Sequence, residues 1–237
     1  MISGRRREGQ TLESFYHEFE STHVALMRQA RCERFLNRYT QNKAMPINTS
    51  MELWAAVDTR FDSQASLAFD DFESMSRFFN DPDYNTIVKS HEFTDPKVMT
   101  VELCEEFKLK SGPVDANSVK VIYYFKPSVK RSREEFRDFI DGPYSELTIK
   151  PNQSLLSRHL RSYCYPPSQT AFLKSVFQKA DVSQYGVIEE LWFNNLDDMQ
   201  GFHQGLKQQV QQALSNGIDF ENSFSLIVSD RVVFGVR

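Results

Sequence analysis

Only three cysteines occur in this 237-residue chain, and Cys32, Cys104 and Cys164 are scattered, without the C-x-x-C spacing of a structural zinc site or a dithiol redox pair. Cys164, next to Tyr163 in an expected strand, reads as a small buried residue. Basic surplus is also lacking. A formal net charge of -4 provides no electrostatic footprint for nucleic acid, and Arg5-Arg6-Arg7 reads as a solvated cluster. No apolar run is long enough to span a bilayer, and no signal-peptide core follows the arginines, which predicts a soluble, cytoplasmic protein with no membrane partner. P-loop, dinucleotide fingerprint and nucleophile elbow are all missing, and no histidine pair has the helical spacing of a metal site. The expectation is therefore no cofactor and no metal.

What the chain has is aromatic mass and a repeat. With 20 Phe and 40% hydrophobic residues, there is ample apolar surface for a packed core or an aromatic-lined pocket. Thr11 to Leu26 runs in register with Ser132 to Leu147, so that Phe15 falls on Phe136, His23 on Tyr144 and Leu26 on Leu147. After a small insertion, Leu36 and Tyr39 fall on Leu160 and Tyr163, and Leu67, Phe69, Met75 and Phe78 fall on Leu191, Phe193, Met199 and Phe202. One folding unit duplicated in tandem accounts for this register.

In the second copy, Val119 to Phe125 reads as a strand. Ser132 and Glu135 form a capping box ahead of a helix over 133 to 148, disturbed by Gly142-Pro143. Strands follow at Leu160 to Tyr165 and Tyr185 to Phe193, then a helix from Asp197 to Leu214 and a final run from Phe224 to Val236. This β-α-β-β-α-β order predicts an α+β fold of two ferredoxin-like units, spanning 1–110 and 118–237, joined as a pseudo-dimeric α/β barrel. The first copy has a helix over Leu12 to Met27, strands at Leu36 to Asn42, Gln64 to Phe69 and Val98 to Phe107, and a helix over Asp71 to Phe79. Its first strand looks short or absent, since only Met1 to Gly4 stands where the second copy has Val119 to Phe125. An uncovered sheet edge is costly, so the C-terminal run Val232 to Val236, or a partner chain, is expected to compensate.

The run Arg6-Arg7-Glu8-Gly9-Gln10-Thr11-Leu12-Glu13-Ser14-Phe15, followed by Phe19, His23-Val24-Ala25-Leu26 and Arg38-Tyr39-Thr40-Gln41-Asn42, resembles the EthD family of the dimeric α/β-barrel superfamily. Relatives in that superfamily include cofactor-free decarboxylases, cyclases and monooxygenases of aromatic polyketide pathways, haem enzymes and proteins of unknown role. The fold alone does not fix the chemistry.

His23 lies on or beside the apolar face made by Leu12, Phe15, Phe19 and Leu26, where a partly desolvated imidazole can move a proton near neutral pH. A core histidine bonded to a carbonyl has the same pattern. Tyr39 and Gln41 share one face of their strand and can orient a phenol or an enolate; a surface tyrosine is the bland counterpart. Glu189 and Glu190 fall on opposite faces of one strand, which predicts a buried carboxylate of raised pKa, or a salt bridge; the first copy has Ala65 and Ser66 there. Phe19, Phe69, Tyr144, Tyr163 and Trp192 complete the candidate ligand-binding set.

Together these features point to a cofactor-independent lyase, isomerase or cyclase acting on a small hydrophobic or aromatic, polyketide-like metabolite of secondary metabolism. His23 would be the acid/base, and further homodimerisation is compatible with the reading. The alternatives are a non-catalytic small-molecule-binding or accessory protein, and a cofactor-free or haem-dependent monooxygenase.

Overall fold

The computed structural model describes residues 1–45, 53–128, 131–182, 184–204 and 207–235. Its sheet contains β1 (Ile2–Arg6), β2 (Arg38–Ala44), β3 (Ala56–Val57), β4 (Ser63–Ala68), β5 (Thr94–Val101), β6 (Cys104–Lys110), β7 (Val119–Phe125), β8 (Leu156–Cys164), β9 (Asp181–Val182), β10 (Val187–Phe193) and β11 (Phe224–Gly235). The strand order is β6-β8-β10-β7-β11-β2-β4-β1-β5-β9, with β3 attached to β11. Two quartets, β5-β1-β4-β2 and β11-β7-β10-β8, repeat the same arrangement, with the fourth strand beside the first and the third beside the second. β11 pairs antiparallel with β2, which joins the quartets at one side. At the other side β6 pairs antiparallel with β8. β5 and β6 are separated only by Glu102-Leu103, so the chain itself links the far ends of the path and the sheet curls.

The first copy's first strand is short but present, at five residues against the seven of β7, so the absence that was the other expectation is overturned. β1 sits between β4 and β5, and the run Val232 to Gly235 pairs with β2 instead of compensating for an empty edge. Val236 lies outside the described residues. Expected elements otherwise fall within a few residues of the observed ones, except that the strand expected at Val98 to Phe107 is two strands broken at Glu102-Leu103, and the helix expected over Asp197 to Leu214 is two, Leu196–His203 and Lys207–Leu214, the first ending at an extended Gln204.

Alternation along the strands separates two environments. Outward side chains pack under the helices: Ile2, Tyr39, Ala65 and Leu67 join Met27, Met75 and Phe78 in one core, while Tyr123, Phe125, Leu191 and Phe193 join Phe136, Tyr144 and Phe202 in another. Inward side chains are partly polar. The buried Lys120 ammonium lies 2.5 Å from Glu190 and donates to Asn42 Oδ1 at 2.9 Å, over the Trp192 ring at 4.2 Å. Trp192 therefore belongs to the packed interior of the sheet, where its indole N–H donates to Asp230 at 3.2 Å.

Helix ends follow their capping chemistry. The Thr11 hydroxyl accepts from Ser14 N ahead of Leu12–His17, and Asp71 does the same for Ser74 N ahead of Phe72–Asn80. Ser132 and Glu135 form the full reciprocal box. The first helix widens to π-helical turns over Glu18–Thr22 and resumes as His23–Gln29, which places His23 at the start of the resumed turn. Ile140–Ile149, containing Pro143, is the π-helical continuation of Arg133–Phe139.

Each quartet sends the segment between its second and third strands across to the other. β3 pairs in parallel with β11, and β9 in parallel with β5. These two crossings determine what happens to the space under each set of helices.

Candidate active site

Under the first quartet's helices lies a cavity of about 380 Å³. Ile2 and Gly4 of β1, Tyr39 of β2, and Ser63, Ala65 and Leu67 of β4 form its floor. Phe19 and His23 come from the first helix, and Tyr84, His91 and Phe93 from the segment before β5. The rim includes Val176, Phe177 and Ala180, carried over from the second quartet by the segment that β9 anchors.

His23 is half-buried, and its Nδ1 has no hydrogen-bond partner. Burial, and secondarily the nearby His91, lower its pKa to about 4, so the imidazole is neutral at physiological pH. Its ring packs 4.8 Å from Phe93 and meets Tyr39 edge-on at 6.5 Å between centroids. The Tyr39 hydroxyl accepts a 3.0 Å hydrogen bond from Gln41 Nε2, which also donates to the Phe19 carbonyl at 2.6 Å. Gln41 thus holds Tyr39 from behind and ties β2 to the first helix. Burial raises the Tyr39 pKa, which keeps its phenol protonated and able to donate.

The structure brings His23, Tyr39 and Phe19 to the cavity and sets Gln41 behind them. Phe69 packs against Phe78 and Phe79, beside the cavity wall. Tyr144, Tyr163 and Glu189 lie with the second quartet. There the Glu189 carboxylate accepts a hydrogen bond from the Tyr144 hydroxyl and bonds His159 Nε2 at 2.7 Å and the Arg161 guanidinium at 2.6 Å. Burial opposes its charge, but Arg161 and His159 outweigh that and hold its pKa at about 2, so the expectation of a raised value is overturned in favour of the salt bridge. Tyr163 donates to Asp141, which also takes Arg161 at 2.9 Å.

Beside that network the space under the second quartet's helices is packed around Trp54. Delivered by the first quartet's crossing segment, the indole is fully buried; it stacks on Tyr123 at 5.6 Å and packs against Phe202 at 4.9 Å and His203 at 5.0 Å. Matched positions account for the asymmetry. Ile2 opposes Ala65 where Tyr123 opposes Glu189, and Gly4 opposes Ser63 where Phe125 opposes Val187. With His23 in place of Tyr144, the first quartet carries the smaller residue at each of these positions and keeps the room.

His91, Phe93 and Tyr84 were not anticipated, although an aromatic-rich stretch just before a strand that borders a pocket was a usable signal. His159 and His203 are buried structural residues: His203 Nδ1 bonds the Met199 carbonyl at 2.7 Å and its Nε2 bonds Tyr123 at 2.5 Å. His17 is exposed. Among the described residues no cluster of His, Cys, Asp or Glu could hold a metal ion, and no helix is long and apolar enough to cross a membrane.

A helix-and-sheet cavity with a neutral histidine and a braced tyrosine is an arrangement suited to proton transfer on a small ligand. The EthD domain family matches residues 7–97, which include Phe19, His23, Tyr39, Ala65, His91 and Phe93, in agreement with the resemblance of the N-terminal motifs. The chain is 24% identical over 212 residues to chalcone isomerase cfoK of Aspergillus candidus, covering 85% of this chain and 82% of that protein. Two solved structures share the fold over nearly the whole length. One is a Lactobacillus acidophilus protein provisionally named a monooxygenase, with a TM-score of 0.53 at 5% identity over 98% of this chain and 92% of its own. The other is a protein of Fusobacterium nucleatum with the same provisional name, with a TM-score of 0.55 at 6% identity over 98% and 91%.

Proposed function

We propose that the chain is a fused pair of ferredoxin-like units in which one unit keeps a working cavity, and that this cavity catalyses a cofactor-independent isomerisation of an aromatic substrate by proton transfer. The observation that carries the reading is the convergence of a neutral His23 and a protonated Tyr39 on one apolar cavity. The repeated strand order supports the fused pair. The relative named as a chalcone isomerase favours an intramolecular ring closure over decarboxylation or dehydration.

In such a closure His23 takes the proton of a phenol, and the phenolate oxygen adds to the conjugated carbon of an enone. Tyr39 donates its hydroxyl to the enolate oxygen that develops, and the imidazolium returns the proton to the neighbouring carbon. Atoms balance without a second substrate. The imidazolium is disfavoured in the empty cavity, but beside a phenolate it forms an ion pair that the apolar surroundings strengthen. Gln41 keeps the tyrosine oxygen in place.

A 2′-hydroxychalcone is the direct test: purified protein is expected to convert it to the flavanone, seen as loss of the long-wavelength absorption. Failure across a panel of hydroxylated aryl enones, with those compounds nonetheless bound, would reduce the site to ligand binding. Ala65→Phe is expected to fill the cavity and abolish both binding and turnover while the protein stays folded. Binding that survives Ala65→Phe would place the ligand elsewhere.

The pH profile carries its own sign. The base form of His23 is active and its pKa in the free protein is lowered to about 4, so kcat/KM should stay level as pH falls through 6.5 and decline only as it approaches 4. A decline centred near 6.5 would mean that an ordinary, solvated histidine limits the reaction.

A further inference from the structure

Cys104 and Cys164 stand directly opposite each other on the antiparallel strands β6 and β8, and their sulfurs are 3.2 Å apart. The next rung is a hydrogen bond from Tyr165 N to the Leu103 carbonyl, at 2.8 Å. Cys104 and Cys164 therefore form a non-hydrogen-bonded pair, the kind in which α-carbons approach to about 4.5 Å and side chains lie closest. That spacing falls within the range of about 4.4–6.8 Å that a disulfide spans. Both thiols are free.

The geometry points to this pair as an oxidation site, which a peroxide would convert to an intramolecular disulfide that staples β6 to β8. Cys104 is half-exposed and borders a groove lined also by Met1, Glu102, Glu105 and Tyr165, so it is the sulfur a small oxidant reaches first. Its thiolate attacks one peroxide oxygen, the O–O bond breaks, and the sulfur becomes a sulfenic acid as the other oxygen leaves as water. The buried Cys164 thiol then attacks that sulfur, and the sulfenic hydroxyl departs with the Cys164 proton as a second water. Two thiols and one peroxide thus give one disulfide and two waters. Burial and the adjacent Cys104 sulfur push the Cys164 thiol well above its ordinary value, which leaves Cys104 as the sulfur that meets the peroxide first.

The staple falls at the seam through which β6 links the first quartet to the second. β5, immediately before β6, forms part of the cavity wall, and the segment after Cys164 leads to Phe177 and Ala180 on the cavity rim. The two cysteines are 60 residues apart, a separation at which a cross-link removes much entropy from the unfolded chain. In a reducing compartment the bond would be a reversible mark. The inference stands on strand register and sulfur geometry, and it holds whatever the cavity's substrate proves to be.

The test is to treat the reduced full-length protein with one equivalent of hydrogen peroxide, alkylate the remaining thiols before unfolding, and map the peptides without reductant. The expected result is a linked peptide containing Cys104 and Cys164, with Cys32 alkylated. A rise of roughly 5–15 °C in melting temperature, reversed by dithiothreitol, should accompany it. Cys104→Ser and, separately, Cys164→Ala should each abolish the linked peptide and the rise, whereas Cys32→Ser should leave both. Sulfinic acid at Cys104 with Cys164 unmodified, a link between two chains, or a linked peptide without the thermal shift would each overturn the proposal.

Discussion

Replacing His23 by alanine is expected to lower turnover on a responsive aryl enone by about two to four orders of magnitude, the range for loss of a general acid or base. That corresponds to roughly 3–5 kcal/mol of transition-state stabilisation. The fold should tolerate the change. His23 Nδ1 has no partner to lose, and the ring borders a cavity in which water can take its place. Tyr39→Phe should cost less, on the order of tenfold, because it removes one hydrogen bond to the developing enolate. It also frees Gln41 Nε2 from one acceptor while leaving the bond to the Phe19 carbonyl. Melting temperature and turnover measured on the same preparations separate the roles. A His23→Ala protein that melts much lower but works normally per folded molecule would make His23 a packing residue and move the chemistry elsewhere in the cavity.

How much of this site could be read from the sequence depended on how local its determinants are. His23 and Tyr39 emerged because helical and strand periodicity each assign a face within one element, and the cavity lies where those two faces meet. Capping at Thr11, Asp71 and Ser132 is equally local. β1 was missed because Ile2-Ser3-Gly4-Arg5-Arg6 has little intrinsic strand preference; pairing on both sides with β4 and β5 makes it a strand regardless. Its Gly4 also helps leave the cavity open, since the same rung of the other quartet carries Phe125.

Glu189 was misjudged for a different reason. A carboxylate among Val187, Leu191 and Phe193 implies desolvation, but the charge beside it is set by the register of β8. That register brings Arg161 opposite Glu189, with His159 two residues away on the same face, and it is a tertiary fact. The cavity rim is likewise beyond local pattern. Val176 to Ala180 reach it through the two-residue parallel strand β9, roughly 80 residues in sequence from the β5 residues it pairs with, and nothing in its composition advertises that contact.

The largest effect on stability is expected at Trp54. Truncation to alanine should cost roughly 3–5 kcal/mol, the usual range for emptying a fully buried large aromatic position. For a domain of this size that is a fall of roughly 6–20 °C in melting temperature. The indole is enclosed by Tyr123, Tyr144, Phe202 and His203, and these neighbours are themselves fixed by the Glu189 network and the His203 bonds. They have little freedom to collapse into the gap, which places the cost toward the upper end. Trp54→Phe should be milder by comparison. It retains an aromatic ring and removes an indole N–H that has no hydrogen-bond partner in its buried position. The gap left by alanine would lie where the second quartet's counterpart of the first quartet's cavity would be, lined by apolar rings and by Tyr144 in place of His23. Added indole should therefore bind the Trp54→Ala protein and recover part of the lost melting temperature, while leaving the unsubstituted protein unchanged. It should restore no activity at that position, because no histidine stands where Tyr144 does. A Trp54→Ala protein that melts within a degree or two of the original and ignores indole would show that the second quartet closes without its plug, and that Trp54 is not what keeps its cavity shut.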